Sequence, residues 1–311
     1  MKKRAISTLL VALAVVSFIL PALATKSPEY EEPPAQAGKA LGKAVEAVPE
    51  PSSFIYLNGA PKFLEYELRS GTTYVTVSSF VTMADPQAAV EEKDGVITVN
   101  SARVETVVDD EGNTSDEVRE TLSMTVSTQI PYIVANGRYL YAKDCIITVN
   151  GHVAVPIRIL AQVFNLDVDY DNVAQAVLLT HKKGSGAYLQ SGDSYYDEDA
   201  LYWLSRIIYQ ESGNQILEGK IAVGNVVMNR VADPMFPDNI YDVLNQPNQF
   251  SPASYLSAWT PNSESVVAAK LVLEGVEILP TALFFNTVGL YSYAARTRPY
   301  VTTIGGHEFY A

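Results

Sequence analysis

The stretch Leu201–Val231, LYWLSRIIYQESGNQILEGKIAVGNVVMNRV, decides how the second half of this 311-residue chain folds. Its first apolar residues recur three and four positions apart, a period that places them on one face of an α-helix. The same face then carries an acid, Glu211, after Ile207 and Ile208. Gly213 follows, a residue typical of a helix end, so the spacing predicts a helix that ends beside the acid.

A carboxylate on the buried face of a helix suggests a chemical role. We expect desolvation to raise the pKa of Glu211, and the negative end of the helix dipole to act in the same direction. A carboxylic acid that stays protonated near neutral pH can protonate the leaving oxygen of a glycosidic bond. The alternative is that Glu211 simply turns to solvent at a frayed helix end.

The residues around this stretch predict a mostly helical domain over residues 197–311. Asp197 or Asp199 can cap its first helix. The second helix, over about 217–231, is apolar on all sides, which is typical of a helix at the centre of a domain. A further amphipathic helix is predicted within 261–277, and the aromatic, glycine-punctuated end of the chain predicts a small terminal sheet.

Residues 54–180 have a different pattern, in which short β-type runs are separated by Asn-Gly and Asp-Gly turns. The runs form a weak internal repeat with Val75 and Val155 at equivalent positions, and we expect a short helix after each. The acidic stretch 108–120 predicts a protruding loop or hairpin tip. The predicted fold class is therefore α+β with two domains, a mostly-β stalk-like module and a mostly helical domain.

The remaining segments are predicted to be a signal and linkers. Residues 1–24 combine a basic start, an apolar run and a small-residue cleavage site, which predicts a cleaved secretory signal; a retained membrane anchor is the alternative. Residues 25–53 are rich in Pro, Glu, Ala and Lys and predict a disordered linker. Residues 181–196 are rich in Gly, Ser and Tyr and predict a second linker. The working protein is thus expected outside the cytoplasm, without a stable membrane span after signal cleavage.

The composition excludes several classes of function. The formal net charge is −13, and the loss of three basic residues with the signal would make it −16, which disfavours nucleic acid as a partner. The three histidines are scattered over different segments, so we expect no metal site and no cofactor. The single cysteine, Cys145, excludes an internal disulfide and lies in a strand-like run, where a catalytic thiol is not expected.

The second half of the β region resembles a known family. The stretch NGHVAVPIRILAQVFNLDVDYDNVAQAVLLT is similar to the copper amine oxidase N-terminal-like domain of secreted Gram-positive proteins. The residues that carry the resemblance are Val155, Pro156, Arg158, Tyr170 and Asp171. It covers residues 54–180, more closely in the second half than in the first. It implies a wall- or surface-associating module that contacts a cell-wall polymer and has no copper chemistry.

The helical region resembles the SleB-type cell-wall hydrolases, the family of spore-cortex-lytic enzymes. The ordered motifs are Tyr-x-Glu, Glu-Gly-Lys-x-Ala-Val, Asn-Arg-Val, Gln-Phe-Ser-Pro and Gly-His-x-Phe-Tyr. The resemblance implies a lysozyme-like, mostly helical fold with Glu211 as the catalytic acid. It also implies a substrate-binding set of Glu218, Gln249, Phe250 and Ser251. Glu218 is equally well explained as a favourable charge at a helix N-terminus.

Together these observations predict a secreted peptidoglycan-lytic enzyme of the cell wall or spore cortex in a Gram-positive-type bacterium. A lytic transglycosylase needs one carboxyl group, which acts as an acid and then as a base to give a 1,6-anhydro product. A hydrolytic muramidase needs a second carboxylate, for which the candidates are Glu218, Asp233, Asp238 and Asp242. None of them is marked by its position, which favours the single acid. The alternative from another class is a non-catalytic glycan-binding surface protein.

Overall fold

The computed structural model describes the chain in four segments, residues 54–108, 113–247, 249–250 and 253–311. The predicted signal over 1–24 and the predicted linker over 25–53 lie outside these segments. Within the described residues, strands dominate up to His181 and helices dominate from Gly192 onwards. The predicted α+β class is therefore confirmed, with a β-rich first part and a helical second part.

The β module, residues 54–181, consists mainly of short strands. In chain order they are β1 (Ile55–Leu57), β2 (Ala60–Lys62), β3 (Tyr66–Arg69), β4 (Thr72–Thr76), β5 (Ala89–Lys93), β6 (Val96–Val108), β7 (Thr114–Ser127), β8 (Tyr132–Ala135), β9 (Arg138–Tyr141), β10 (Ile147–Val149), β11 (His152–Pro156), β12 (Leu166–Asp171) and β13 (Ala176–His181). The helices are α1 (Val77–Ala84) and α2 (Ile157–Val163). The described strands form sheets in the orders β12-β13-β1-β2, β10-β11-β4-β3 and β5-β6-β7-β8-β9.

The internal repeat is visible in the middle of the β module. Strands β4 and β11 pair antiparallel with Val75 opposite Val155, and each strand leads directly into its helix, α1 or α2. Phe80 on α1 and Phe164 at the end of α2 are buried, with ring centroids 5.8 Å apart. A pair of buried rings at this distance stabilises the contact between the two halves.

Strands β6 and β7 form a long antiparallel ribbon. The acidic stretch 108–120 lies mostly within it, because β7 begins at Thr114 and pairs that residue with Val108. On the outer half of the ribbon, Arg119 Nε donates to Glu105 Oε2 at 2.9 Å. Of the two interpretations of this stretch, the hairpin is the one that the pairing supports.

The helical region, residues 192–311, ends in a small sheet. Its helices are α3 (Gly192–Tyr195), α4 (Glu198–Ser212), α5 (Leu217–Ala232), α6 (Ile240–Leu244), α7 (Ala253–Leu256), α8 (Ser263–Leu273) and α9 (Tyr293–Thr297). Its strands are β14 (Phe284–Thr287), β15 (Tyr300–Ile304) and β16 (His307–Tyr310), in the order β14-β16-β15. Among the described residues, none of the helices is both long and apolar enough to cross a membrane.

Helix α5 is the central helix, as the sequence predicts. It is buried along most of its length, and α4, α6 and α8 pack around it. Gly224 allows a close approach, since a Cβ there would lie 2.8 Å from Val272 Cγ2 and 3.0 Å from Ile208 Cδ1. Helix α4 begins with one of the two predicted caps, because Asp197 accepts a hydrogen bond from the amide of Ala200.

The β8–β9 hairpin of the β module lies against the helical region. Tyr132, Tyr139 and Tyr141 of this hairpin pack against the hydrophobic core to which α4, α5 and α8 contribute. Residues 181–196, the predicted second linker, are also packed, since Tyr188 is buried in the core of the β module. The two parts therefore share a packed contact, while the domain boundaries stay a prediction.

Candidate active site

Glu211 lies in the last turn of α4 and is half-buried. The helix ends at Ser212, whose Oγ donates to the Ile208 carbonyl oxygen at 2.7 Å. Gly213 caps the helix in the right-handed conformation, and a Cβ at this position would lie 2.5 Å from the Tyr209 carbonyl oxygen. Glycine is therefore required for a close approach rather than for a left-handed φ. The predicted helix end beside the acid is confirmed.

The loop that follows the acid, residues 213–216, is held from two sides. Asn262, the N-cap of α8, donates from Nδ2 to the carbonyl oxygen of Gly213 at 3.3 Å. Gln215 accepts through Oε1 a hydrogen bond from the amide of Gly306 in the β15–β16 turn, at 2.7 Å. The start of α8 and the terminal sheet thus converge on the loop that adjoins the candidate acid.

The β15–β16 turn can approach this loop because it consists of glycines. Gly305 adopts a φ of +57°, and a Cβ on it would lie 2.5 Å from Gln215 Oε1. A Cβ on Gly306 would lie 2.9 Å from Gln215 Nε2. A larger residue at either position would displace the Gln215 amide group from the turn and weaken its hydrogen bond to Gly306.

Lys220 places a positive charge in the core next to the same loop. Its side chain is 1% exposed, and its Nζ donates to the Gln215 carbonyl oxygen and lies 2.5 Å from Glu264 Oε2. Such partners are needed because an unpaired ammonium group is very unfavourable in a protein interior. Through Lys220, α5 and α8 are both joined to the 213–216 loop.

Glu218 lies in the first turn of α5, and its partner comes from the β module. Lys143, in the β9–β10 connection, places Nζ 2.9 Å from Glu218 Oε1. This hydrogen bond lowers the pKa of Glu218 below the usual value for a carboxyl group, against a smaller opposing effect of burial. Glu218 is therefore ionised near neutral pH. Its predicted contact with substrate stays a prediction.

The Gln-Phe-Ser motif lies near the terminal sheet. Gln249 is exposed, whereas Phe250 is half-buried, with its ring centroid 6.2 Å from that of Phe285 on β14. Ser251 lies outside the described residues, so its predicted role has no structural counterpart. Only Phe250 of this motif is therefore seen in a packed position.

Arg230 anchors Phe250 to the core. Its guanidinium carbon lies 4.7 Å from the Phe250 ring, 5.1 Å from Phe236 and 5.2 Å from Phe284. Its Nε donates to the Leu283 carbonyl oxygen at 2.7 Å. Burial lowers the pKa of Arg230 to about 10, which still leaves it charged at neutral pH. This side chain ties α5 to the terminal sheet.

Sequence reasoning missed three residues that hold the loop beside the acid: Gln215, Lys220 and Glu264. Lys220 had a visible signal, because it is the single charged residue within the otherwise uncharged stretch 219–228 of a buried helix. Glu264 and Gln215 had none, since their partners lie 44 and 91 positions away in the chain. Long-range pairing of this kind leaves no periodic pattern in a single sequence.

Two cavities of about 740 and 410 Å³ lie between the β module and the segment 185–193, and they share Glu120, Ser185 and Gly186. Neither is lined by a residue of the predicted site. Within the described residues, no group of three or more His, Cys, Asp or Glu side chains is arranged to hold a metal ion.

Two family models match this chain. Residues 214–310 match the model described as Cell Wall Hydrolase, and residues 66–179 match the model described as Copper amine oxidase N-terminal domain. The first match begins three residues after Glu211. Both resemblances inferred from the sequence are therefore confirmed as similarities to these two families.

Similar proteins include the spore cortex-lytic enzyme of Oceanobacillus iheyensis, which is 28% identical over 116 residues, 37% of this chain and 42% of that protein. The spore cortex-lytic enzyme of Bacillus cereus is 29% identical over 119 residues, 37% of this chain and 45% of that protein. The chain thus matches less than half the length of these relatives.

Similar solved structures are the catalytic domain of the germination-specific lytic transglycosylase SleB from Bacillus anthracis and that of Bacillus cereus SleB. Each is 27% identical and covers 37% of this chain with a TM-score of 0.35. The match spans 97% of the first structure and 92% of the second.

Proposed function

We propose that this protein is an exported enzyme that lyses peptidoglycan of the cell wall or spore cortex. It cleaves the glycosidic bond between N-acetylmuramic acid and N-acetylglucosamine, with Glu211 as the catalytic acid. The observation that carries the proposal is the position of Glu211, half-buried in the last turn of α4 beside a braced loop. The cell wall hydrolase match over residues 214–310 and the similarity to spore cortex-lytic enzymes support it.

One carboxyl group suffices if the enzyme is a lytic transglycosylase. Protonated Glu211 gives its proton to the glycosidic oxygen while the bond from that oxygen to the anomeric carbon of muramic acid breaks. The resulting carboxylate takes the proton of the C6 hydroxyl of the same sugar, and the C6 oxygen bonds to the anomeric carbon. No water is consumed, and Glu211 ends in its starting protonation state.

The carboxylates considered from the sequence differ in their position and in their hydrogen bonds, and both matter for a hydrolytic mechanism. A second carboxylate must lie within roughly 5–10 Å of the first. Asp233 caps the far end of α5, whose 16 residues span about 24 Å, whereas the 213–216 loop joins the near end. Asp238 and Asp242 lie at the start of α6, where both accept hydrogen bonds from Asn239 Nδ2.

Two other carboxylates lie closer to the loop, and each of them faces a lysine. Glu218 pairs with Lys143 at 2.9 Å, and Glu264 pairs with Lys220 at 2.5 Å. A charge-assisted hydrogen bond of this kind stabilises the carboxylate and engages one of its oxygens, which lowers its reactivity as a nucleophile. These contacts favour the single-acid transglycosylase over the muramidase.

The β module is proposed to hold the enzyme on the wall through contact with a cell-wall polymer. The copper amine oxidase N-terminal match over residues 66–179 and the packed β8–β9 hairpin support this role. Because the hairpin packs on the helical region, a polymer bound to the module would stay at a fixed distance from Glu211. The expected partners are therefore a wall polymer for the module and glycan strands for the helical region.

The decisive experiment is digestion of purified vegetative sacculi and of spore cortex by the full chain, with mass spectrometry of the soluble fragments. We expect fragments that end in anhydromuramic acid, one water lighter than hydrolytic fragments. Glu211→Gln keeps the shape and removes the acid, so it should slow release by about 10²–10⁴-fold. Glu277→Gln, which changes an exposed carboxylate of the same region, is the matched control and should keep the rate.

The other outcomes separate the alternatives. Ordinary reducing ends would indicate a muramidase and direct attention to Glu264 and Glu218. Unchanged release by Glu211→Gln would refute the role of this acid. Binding to sacculi without release of any fragment would favour a non-catalytic glycan-binding surface protein.

A further inference from the structure

The segment 288–293, here called the tyrosine loop, exposes apolar side chains at most of its positions. Tyr291 is 83% exposed, and Val288, Leu290 and Tyr293 are exposed as well. Single exposed apolar residues are ordinary, but four within six positions form a patch of the kind that marks an interaction site. The loop is also ordered locally, because Ser292 Oγ donates to Asn286 Oδ1 at 2.5 Å.

A second exposed aromatic pair lies at residues 255–259, here called the tryptophan turn, which spans the end of α7 and the turn after it. The rings of Tyr255 and Trp259 are both exposed, with centroids 6.1 Å apart. Leu256 between them is buried in the core of the helical region, so the turn is anchored while its aromatic residues face solvent. Rigid, amphipathic rings of this kind are well suited to ligand contact.

Both aromatic groups are connected, through one intervening residue or short segment each, to the loop that follows the candidate acid. The Val288 amide donates to the Gly306 carbonyl oxygen at 3.0 Å, and the Gly306 amide donates to Gln215 at 2.7 Å. On the other side, Trp259 precedes Asn262 by three residues, and Asn262 donates to the 213–216 loop at 3.3 Å. The tyrosine loop and the tryptophan turn are therefore joined to this loop through different elements, the terminal sheet and the start of α8.

We propose that Trp259 and Tyr291 are sugar-stacking residues that hold a peptidoglycan glycan strand on the two sides of Glu211. The proposal rests on the proposed function, since it assigns the substrate contacts of that same site. Pyranose rings present an apolar C–H face that packs on aromatic rings, while their hydroxyl groups remain in water. Two separate aromatic groups beside one acid suit an extended linear ligand, whose neighbouring sugars occupy both groups while the bond between them lies at the acid.

The experiment measures binding without catalysis. The chain contains two tryptophans, Trp203 and Trp259, so Trp203→Phe leaves Trp259 as the sole tryptophan reporter. In the full chain with Glu211→Gln and Trp203→Phe, we titrate peptide-free glycan strands prepared from sacculi and record tryptophan emission. We expect a saturable change of emission, and an affinity about five- to tenfold weaker when Tyr291→Ala is added.

Tyr300→Ala is the matched control for Tyr291→Ala. Tyr300 is also an exposed tyrosine, but it lies at the opposite end of β15 from the Gly305–Gly306 turn and should leave the affinity unchanged. In the chain with Glu211 intact, Trp259→Ala should raise the glycan concentration needed for half-maximal release by a similar factor. Thermal unfolding checks that each variant keeps its fold.

Several results would overturn the proposal. Emission that does not respond to glycan strands, or equal affinities for the Tyr291→Ala and Tyr300→Ala variants, would exclude these rings as sugar contacts. Binding of lipid vesicles in place of glycan would assign the exposed residues to a membrane surface. The proposed function fails in a different way, through the absence of anhydromuramic products, so the two outcomes are distinguishable.

Discussion

Among the described residues, two ion pairs join the β module to the helical region, and they differ in burial and in geometry. Arg138 on β9 forms a bidentate pair with Glu274 after α8, with Nε–Oε1 at 2.7 Å and Nη2–Oε2 at 2.5 Å. Their side chains are 8% and 4% exposed. Lys143 and Glu218 make a contact of 2.9 Å, with side chains 43% and 24% exposed.

The surroundings of the buried pair explain how it can exist. Tyr196 donates through its hydroxyl to Glu274 Oε1 at 2.8 Å, and the Tyr195 ring lies 3.3 Å from the guanidinium carbon of Arg138. Burial alone would lower the pKa of Arg138, but the hydrogen bonds to Glu274, the charge of Glu274 and smaller contributions from Tyr195 and Tyr196 together outweigh this effect, so the pKa is raised. Arg138 therefore stays charged inside the interface, where its counter-charge comes from the other part of the molecule.

The comparison teaches that burial, rather than the presence of an ion pair, decides what each contact does. A buried charge that loses its partner is left unsolvated. The buried pair therefore makes docking of the two parts specific, and separating them costs much free energy. An exposed charge that loses its partner is solvated by water, so the exposed pair adds little stability. Because it lies at the start of α5, the exposed pair instead lowers the pKa of a carboxylate near the candidate site.

The largest expected effect comes from breaking the buried pair on one side. Glu274→Gln leaves the Arg138 guanidinium without a counter-charge in a buried site, and we expect a loss of about 3–5 kcal/mol in unfolding free energy. Urea denaturation followed by circular dichroism measures this loss. Glu277→Gln, three positions further on and exposed, is the control and should change the midpoint little.

Replacing both partners sharpens this prediction. Arg138→Met combined with Glu274→Leu removes both charges and fills the space with apolar groups, so we expect a smaller loss than for Glu274→Gln alone. A double variant as unstable as the sum of the two single variants would contradict the view that an unpaired buried charge causes the loss.

The sequence predicts the elements on both sides of this interface but not the interface itself. The apolar spacing of α4, the all-apolar α5 and the Asn-Gly turns each follow from residues that are neighbours in the chain. Arg138 and Glu274 are 136 positions apart, and nothing local distinguishes them from surface charges. Residues 181–196 were predicted as a linker because of their Gly and Ser content, yet Tyr188 and Tyr196 within them are buried.

The candidate site also consists of a part that neighbouring residues predict and a part that depends on residues distant in the chain. Glu211 is predictable because an acid interrupts an apolar period, which is a local signal. The groups that brace its loop come from α8, the β15–β16 turn and α5, and only the fold brings them together. A single sequence therefore points to the acid and leaves its surroundings undetermined.

An intermediate effect is expected where one partner is buried and the other exposed. Lys220→Met removes a buried ammonium group and leaves the Gln215 carbonyl oxygen without this donor, whereas Glu264, at 54% side-chain exposure, is hydrated. We expect a loss of about 1–3 kcal/mol in unfolding free energy. Release of wall fragments should also fall, because the 213–216 loop is held less firmly.

The control for Lys220→Met is Lys270→Met, which changes a half-buried lysine on α8 whose Nζ donates to the Gly137 carbonyl oxygen at 3.2 Å. This variant should lower the stability without a comparable fall in release, since Lys270 contacts the β module rather than the 213–216 loop. An equal fall in release for both variants would remove the special role assigned to Lys220.

The smallest effect on stability is expected at the exposed pair. Lys143→Met should lower the unfolding free energy by less than about 1 kcal/mol, and added salt should reduce the difference from the parent chain. The pKa of Glu218 is lowered by Lys143 in the folded chain, so the pair contributes stability above the ordinary carboxyl pKa. That contribution is lost as the pH falls through the lowered pKa, and in acid the two proteins should converge in stability.

Lys143→Arg keeps the charge and should preserve the low pKa of Glu218, which a carboxyl-resolved NMR titration measures directly. In the Lys143→Met variant the same titration should move towards the usual carboxyl range. A loss of stability as large as that of Glu274→Gln would show that solvent exposure does not separate the two pairs. If the pKa of Glu218 is the same in the Lys143→Met variant as in the parent chain, Lys143 does not lower it. The exposed pair would then have no influence on the candidate site.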